Sequence, residues 1–315
     1  MTDGMGRVKQ TMGPAEWGLL LLLALVWGGS FFFARIAVAE WPPLSVVLGR
    51  VVLGALLLDA IVLVTGRRFP RERRTWGDLI VLGLLNSALP FCLIVWGQTR
   101  IDSGLASIFY ATTSLFTVLL APVFISDERF TAPRLLGVLM GLLGVAIMIG
   151  PDALADVSGT TLAKLAILGG ALFYALGSIW GRRFRGLPSP VIAACQLTVA
   201  ALVMLPVAFV VDRPWTLPPP SPRVVGAILG LATLSTVVGY LLYFTLLGRA
   251  GAINVSLVTL LVPPSALLLG TLVLHERIAP RDLAGLACIV LGLAAIDGRP
   301  LRWLWHRVQP APVPR

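Results

Sequence analysis

The chain is dominated by runs of about 20 consecutive apolar residues, the length that carries an α-helix across the roughly 30 Å hydrocarbon core of a bilayer. Such runs constrain the fold severely, because backbone polar groups in hydrocarbon must be satisfied internally. They fall near 17–38, 44–64, 76–98, 103–125 and 131–149, and again near 160–181, 189–211, 223–248, 253–274 and 280–297. With 57% of 315 residues hydrophobic, 13% charged and a mean hydropathy of +0.90, the chain is too apolar for a soluble globule. The expected fold is an all-α integral membrane protein with ten transmembrane helices.

Those helices come in two sets of five. Glu128, Arg129, Gly137 and Gly144 reappear as Glu276, Arg277, Gly285 and Gly292, each 148 positions later. Trp27 and Arg35 likewise fall opposite Tyr174 and Arg182 at an offset of 147. A fixed period this long marks a duplicated unit, and an odd number of spans per unit turns the second copy upside down in the membrane. The predicted organisation is a cytoplasmic segment 1–16, a first repeat 17–149, an outer loop 150–159, a second repeat 160–297 and a basic cytoplasmic tail 298–315. Ala37-Val38-Ala39 could pass for a signal-peptidase site, but the run from Trp17 is too long for a signal sequence and matches the sixth span.

Net charge is +10, which invites a nucleic-acid reading that the distribution of charge argues against. With the N-terminus cytoplasmic, 17 Lys and Arg fall in inner segments and 6 in outer ones, while Arg35 and Arg50 lie within spans. This bias sets topology and predicts a multi-pass protein of the cell (inner) membrane with both termini cytoplasmic. Its partners are then the lipid bilayer and a small-molecule substrate rather than nucleic acid; monomer and homodimer both stay open.

Cofactor and metal chemistry are not indicated. Cys92, Cys195 and Cys288 lie in apolar spans as small hydrophobes, and the two histidines, His275 and His306, form no cluster. No GxxxxGK[ST] loop is present to bind ATP, and no nucleophile–base pair or carboxylate dyad supports an intramembrane enzyme.

Polar side chains in hydrocarbon are costly and should face a cavity or another helix. Thr233, Thr236, Tyr240 and Tyr243 form one helical stripe in the eighth span, and Ser103, Ala106, Tyr110, Thr113 and Thr117 form its like in the fourth. With Trp27, Asn86, Trp96, Tyr174, Ser178 and Asn254 they are candidates to line a shared central cavity. Trp96 also suits an interfacial belt, and small hydroxyls also serve as glue between helices. Gating or coupling candidates are Arg50, Asp59, Gln196 and Pro263. Arg50 and Gln196 each follow a proline by eight residues, and Asp59 is the one carboxylate well inside a span, placed where Arg67 or Arg68 could pair with it. The spaced glycines Gly137, Gly141 and Gly144, like Gly285 and Gly292, read as helix packing.

An apolar helix, an acidic-basic turn and a helix with spaced glycines, occurring twice in ten spans, resemble the EamA-type branch of the drug/metabolite transporter superfamily. Trp27-Gly28, Pro42-Pro43 with Arg50, and Pro263-Pro264 add to the likeness, which covers about Trp17 to Asp297. It implies a ten-helix transporter, often an exporter of amino acids and other small metabolites. The family usually has a proline midway along the fourth span, where this chain reads Thr113-Ser114-Leu115-Phe116, so the bend such a proline makes is expected in the second half alone.

The expected function is therefore secondary transport of small neutral, zwitterionic or aromatic metabolites by alternating access. Phosphate-bearing substrates are disfavoured, since the eighth and ninth spans carry no Lys or Arg before Arg249. A channel or a lipid-translocating protein is the alternative reading. Substrate identity, direction and coupling stay open at this point.

Overall fold

The computed structural model describes residues 12–124, 132–150, 159–184, 186–255 and 257–297. Among these the regular structure is all helical: α1 (Pro14–Val38), α2 (Pro43–Val64), α3 (Arg73–Gly97), α4 (Ser103–Phe124), α5 (Ala132–Ile149), α6 (Gly159–Gly181), α7 (Ser189–Val211), α8 (Pro222–Gly251), α9 (Val258–Val273) and α10 (Pro280–Asp297). Prolines start several of them, since the N–H a proline lacks is unsatisfied at that position anyway. Pro14, Pro43, Pro190 and Pro222 sit in the first helical turns of α1, α2, α7 and α8.

Seven helices, α1 to α4 and α6 to α8, are long and apolar enough to cross a membrane; Leu135–Ile149 and α9 are shorter apolar helices. Leu56, Leu63, Leu136, Leu202 and Leu272 all point outward and are exposed. Leucines over so much of the surface would aggregate a soluble protein and suit one surrounded by lipid. The protein is a multi-pass membrane protein.

Counterpart helices of the two halves pack together antiparallel. In α5 and α10 a Cβ added at Gly137 would strike the Gly292 carbonyl, and one at Gly144 would strike the Gly285 carbonyl. Each glycine thus meets the sequence counterpart of the other, the pairing that a two-fold axis across the helix pair produces. Backbones this close need glycine, so the packing role expected of these residues is the one observed. Elsewhere α2 packs on α7 and α4 on α9, α1 packs on α8 and α9, and α6 packs on α3 and α4. Each of these contacts has its counterpart in the other half.

Two irregularities shape the interior. α3 and α8 each contain a π-helical turn, Leu84–Ala88 and Leu231–Val238, starting 147 residues apart. In α3 the cause is local: Pro90 has no N–H to return to the Asn86 carbonyl. α4 breaks at Thr112 with no proline nearby, Pro122 lying ten residues further on, contrary to expectation. The Thr112 N–H turns to the Phe109 carbonyl at 3.2 Å, and the Thr112 and Thr113 hydroxyls donate to the Phe109 and Tyr110 carbonyls at 2.6 and 2.7 Å. Side-chain bonds to the preceding turn compete with the helix ladder and bend it. α9, which has Pro263 and Pro264, runs unbroken from Val258 to Val273. Glu128, Arg129, the loop 151–158 and the tail from residue 298 lie outside the described residues, as do residues 1–11.

Candidate functional site

A cavity of about 490 Å³ lies between the two halves, lined by residues of α1 to α4 and α6 to α9. α5 and α10 supply none of its walls and stand aside as the glycine-packed pair. The walls are largely aromatic. Trp27 stacks on Tyr243 with centroids 5.6 Å apart, Tyr110 meets Tyr174 edge-on at 5.5 Å, and Tyr240 stacks on Phe244 at 5.9 Å. Gly239 makes room for Trp27, since a Cβ there would overlap the indole.

Polar groups cross between the halves in two chains. Asn86 donates to the Gln196 side-chain oxygen at 3.1 Å, and Gln196 donates to the Tyr240 hydroxyl at 2.5 Å. Arg50 donates through Nε to Thr236 at 3.1 Å and lies over the Phe91 ring, its Cζ 3.8 Å from the centroid. Thr236 in turn donates to the Leu231 carbonyl, five residues back, at 2.8 Å. The π-helical turn of α8 thus aims Thr236 at Arg50. Asn86 is aimed inward by the matching turn of α3.

At one end of the cavity, here the Arg35 end, polar contacts join α1, α3 and α4. Arg35 lies 3.5 Å from Asp102 and donates to the Gln98 carbonyl at 2.8 Å, while the fully buried Gln98 side chain donates to the Phe31 carbonyl at 2.8 Å. Beside them Glu276 caps α4, accepting from the Ser103 N–H and hydroxyl at 2.9 and 2.8 Å and from the Gly104 N–H at 3.2 Å. Burial, with repulsion from Glu276 and Asp282, raises the Asp102 carboxyl above its ordinary value against the opposing pull of Arg35. From this end the lining extends to Gly181, Ser189, Leu247 and Thr259 at the opposite end.

The EamA-like transporter family model matches the sequence twice, over residues 16–150 and 161–296. The chain belongs to the EamA-like transporter family. Similar proteins include the uncharacterized transporter YvbV of Bacillus subtilis (strain 168), 26% identical over 284 residues covering 89% of this chain and 90% of that protein. The uncharacterized inner membrane transporter YedA of Escherichia coli (strain K12) is 26% identical, over 89% and 90% of the two chains. A probable amino-acid metabolite efflux pump of the same strain is 28% identical over 303 residues, 93% of this chain and 97% of its own. A protein of known crystal structure shares the fold with a TM-score of 0.62 at 18% identity, covering 90% of this chain and 97% of that one.

In this EamA-like chain Trp27, Asn86, Tyr110, Thr113, Tyr174, Ser178, Thr236, Tyr240 and Tyr243 all line the cavity, and so do Arg50 and Gln196. Several other candidates fall elsewhere. Trp96 is 39% exposed and faces outward, because Phe91, Ile94, Val95 and Gln98 hold the inner face of α3. Thr233 stays off the cavity lining, partly exposed and bonding the Leu229 carbonyl, since the π-helical turn breaks the 3.6-residue stripe of the eighth span. Asn254 bonds the Ala250 carbonyl beyond the lining, Ser103 belongs to the Glu276 cap, and Thr117 bonds the Thr113 carbonyl. Asp59 meets neither Arg67 nor Arg68; its Oδ2 accepts from Thr198 at 2.9 Å, and Oδ1 is buried without a partner. Pro263 is buried within α9 and does not reach the cavity. α8 and α9 bring no Lys or Arg to the cavity, as expected, but its lining does contain a cation, Arg50, which enters from α2.

Sequence reasoning missed Phe31, Phe91, Gln98, Ser235 and Phe244. Ser235 was open to discovery as the 148-residue counterpart of Ser87, and Phe244 as a neighbour of the tyrosine stripe. Phe31 and Phe91 carry no mark that separates them from lipid-facing phenylalanines.

Proposed function

We propose that the protein is a secondary transporter with ten membrane-crossing helices in two inverted five-helix repeats, moving amino acids and metabolites of similar size outward by alternating access. The observation that carries this reading is the central cavity, walled by both repeats and bordered at the Arg35 end by a cluster of polar contacts. Two halves packed antiparallel about a pseudo-two-fold axis have a second, equivalent arrangement in which the other end closes. The excess of Lys and Arg supports an Arg35 end outside and both termini in the cytoplasm; with the polar contacts at that end taken as its closure, the cavity faces inward in this reading. The efflux direction is that of the E. coli relative, a probable amino-acid metabolite efflux pump, and is consistent with a cavity loaded from the cytoplasm.

Size and chemistry fit the cargo. About 490 Å³ lies within the usual range of small-molecule pockets, roughly 300–1,000 Å³. Aromatic faces suit apolar side chains, and the Asn86–Gln196–Tyr240 chain offers hydrogen bonds to the polar end. No carboxylate lines the cavity, and Asp59 bonds Thr198 away from it. Movement is therefore facilitated or weakly coupled.

The test is transport by purified protein in liposomes against a panel of amino acids and related metabolites. Saturable, stereoselective flux is expected, reduced on the order of tenfold by Tyr110→Ala or Tyr240→Ala, about the loss of one buried ring contact of 1.4 kcal/mol. Flux that never saturates, or that both alanine variants leave unaltered for every solute, rejects it. A proton gradient is expected to change the rate little, and Asp59→Asn to leave that response as it was.

A further inference from the structure

Arg50 is the one charged residue among those lining the cavity, which include no Asp, Glu, Lys or His. It is 9% exposed, its Nε is taken by Thr236 and its face by Phe91. Its two terminal nitrogens make no hydrogen bond to any of the described residues, and its electrostatic neighbours are the phenols of Tyr174, Tyr240 and Tyr110. A guanidinium enclosed among membrane helices without a counter-ion is expensive, and such groups are ordinarily paired or face a water-filled path. Here stacking on Phe91 and the bond to Thr236 hold the group in one orientation and leave its fork unused.

We propose that Arg50 is the anchor for a carboxylate, and that the molecules carried bear a single such anionic group on an apolar or aromatic body. This rests on the transport reading of the same cavity and narrows it. The planar fork of an arginine matches the two oxygens of a carboxylate, and the pairing strengthens away from bulk water. One cation balances one carboxylate and would leave a phosphate dianion half compensated. The surrounding phenols add neutral donors for the same oxygens. Tyr240 already accepts from Gln196, so its own proton is free to point at the ligand. The other end of the molecule meets no negative charge in the lining. An amino group there is served by the Asn86 and Gln196 oxygens and by ring faces, and is not required. Organic acids without an amine therefore fit as well as amino acids do.

The alternative is that Arg50 merely straps α2 to α3 and α8 through Phe91 and Thr236. Binding to detergent-purified protein separates the two readings with matched pairs: phenylacetate against phenylacetamide, and L-phenylalanine against its amide. The expected result in the wild type is that each carboxylate binds at least tenfold more tightly than its amide. Arg50→Gln is expected to erase that preference and Arg50→Lys to restore part of it. Equal binding of carboxylate and amide, or no binding of either carboxylate at millimolar concentration, overturns the proposal on wild-type protein alone, whether or not the variants fold. A preference that survives in a folded Arg50→Gln overturns it too. Flux in liposomes without discrimination would remove this proposal and leave transport standing, whereas discrimination without flux would do the reverse.

Discussion

The two ends of the cavity are counterparts in the repeat and are held in different ways. At the Arg35 end the contacts are polar: Arg35 with Asp102, Gln98 with the Phe31 carbonyl, and Glu276 on the start of α4. The residues 148 positions after Gln98 and Asp102 are Leu246 and Ala250, both buried and apolar, and Ser103 has Gly251 as its counterpart. A half-exposed ion pair contributes about 0–1 kcal/mol and a single neutral hydrogen bond about 0.5–1.5. An end closed by a few such contacts opens at small cost, as a gate must. The difference teaches that a duplicated fold can supply two equivalent doors while each is latched by its own chemistry. The latch at the Arg35 end holds a carboxylate, Asp102, that responds to pH, while the counterpart positions of Gln98, Asp102 and Ser103 carry no ionisable group.

Glu276→Ala breaks this comparison most strongly. It removes three bonds from a carboxylate to the start of α4, where the helix dipole also favours negative charge. Hydrogen bonds to a charged acceptor contribute about 1.5–3 kcal/mol, so opening at the Arg35 end should become easier by on the order of 30-fold. The measurement is labelling of a cysteine at Ser30, on the cavity wall, by an impermeant maleimide added from that side. Glu276→Gln keeps acceptor oxygen and should lose less. Unaltered labelling in Glu276→Ala would show that this cap is not part of the latch.

Gln98→Leu turns one latch into the likeness of its counterpart, Leu246. It removes the bond to the Phe31 carbonyl but also an Oε1 that is buried without a partner, so part of the loss is returned. The net effect expected is about 1 kcal/mol, a change of roughly fivefold in the same labelling assay. A slower rate than the wild type would mean that an apolar plug closes this end better than the native glutamine.

Much of this arrangement was legible in the sequence and the rest was not, for identifiable reasons. Apolar runs and the 148-residue echo give helices close to those observed, and spaced glycines mark α5 and α10 as closely packed helices without saying that they pack on each other. The inward face of α8 was readable at Tyr240 and Tyr243 because the helix there is regular, and Tyr110 and Thr113 keep the inward face of α4 although the helix breaks between them. Thr233 was assigned to that face wrongly because a π-helical turn precedes the regular stretch, and its only sequence mark in either half is Pro90. The break at Thr112 depends on hydroxyls bonding the preceding turn, where a proline had seemed necessary. Arg50 stood out as a polar residue inside a span. Its orientation is fixed by Phe91 and Thr236, on helices 41 and 186 positions away in the chain, and no local pattern carries that information.

The smallest effect concerns protons. Burial, then repulsion from Glu276 and Asp282, holds the Asp102 carboxyl above its ordinary value, and Arg35 only partly offsets them. The closed Arg35 end therefore binds a proton on Asp102 more tightly than an arrangement in which that carboxyl is fully solvated. By linkage, the contribution favours the closed end at low pH and is lost as pH rises through the raised value. Asp102 is partly exposed and its pair with Arg35 is correspondingly weak, so the change should not exceed about threefold. Labelling at Ser30→Cys, with a thiol reagent whose own pH dependence is subtracted, should slow in the wild type as pH falls from 7 towards 4. Asp102→Asn should remain closed and lose the slope. Labelling that speeds up on acidification would mean that the pair with Arg35 outweighs burial and like charge, and that the polar latch is held by attraction after all.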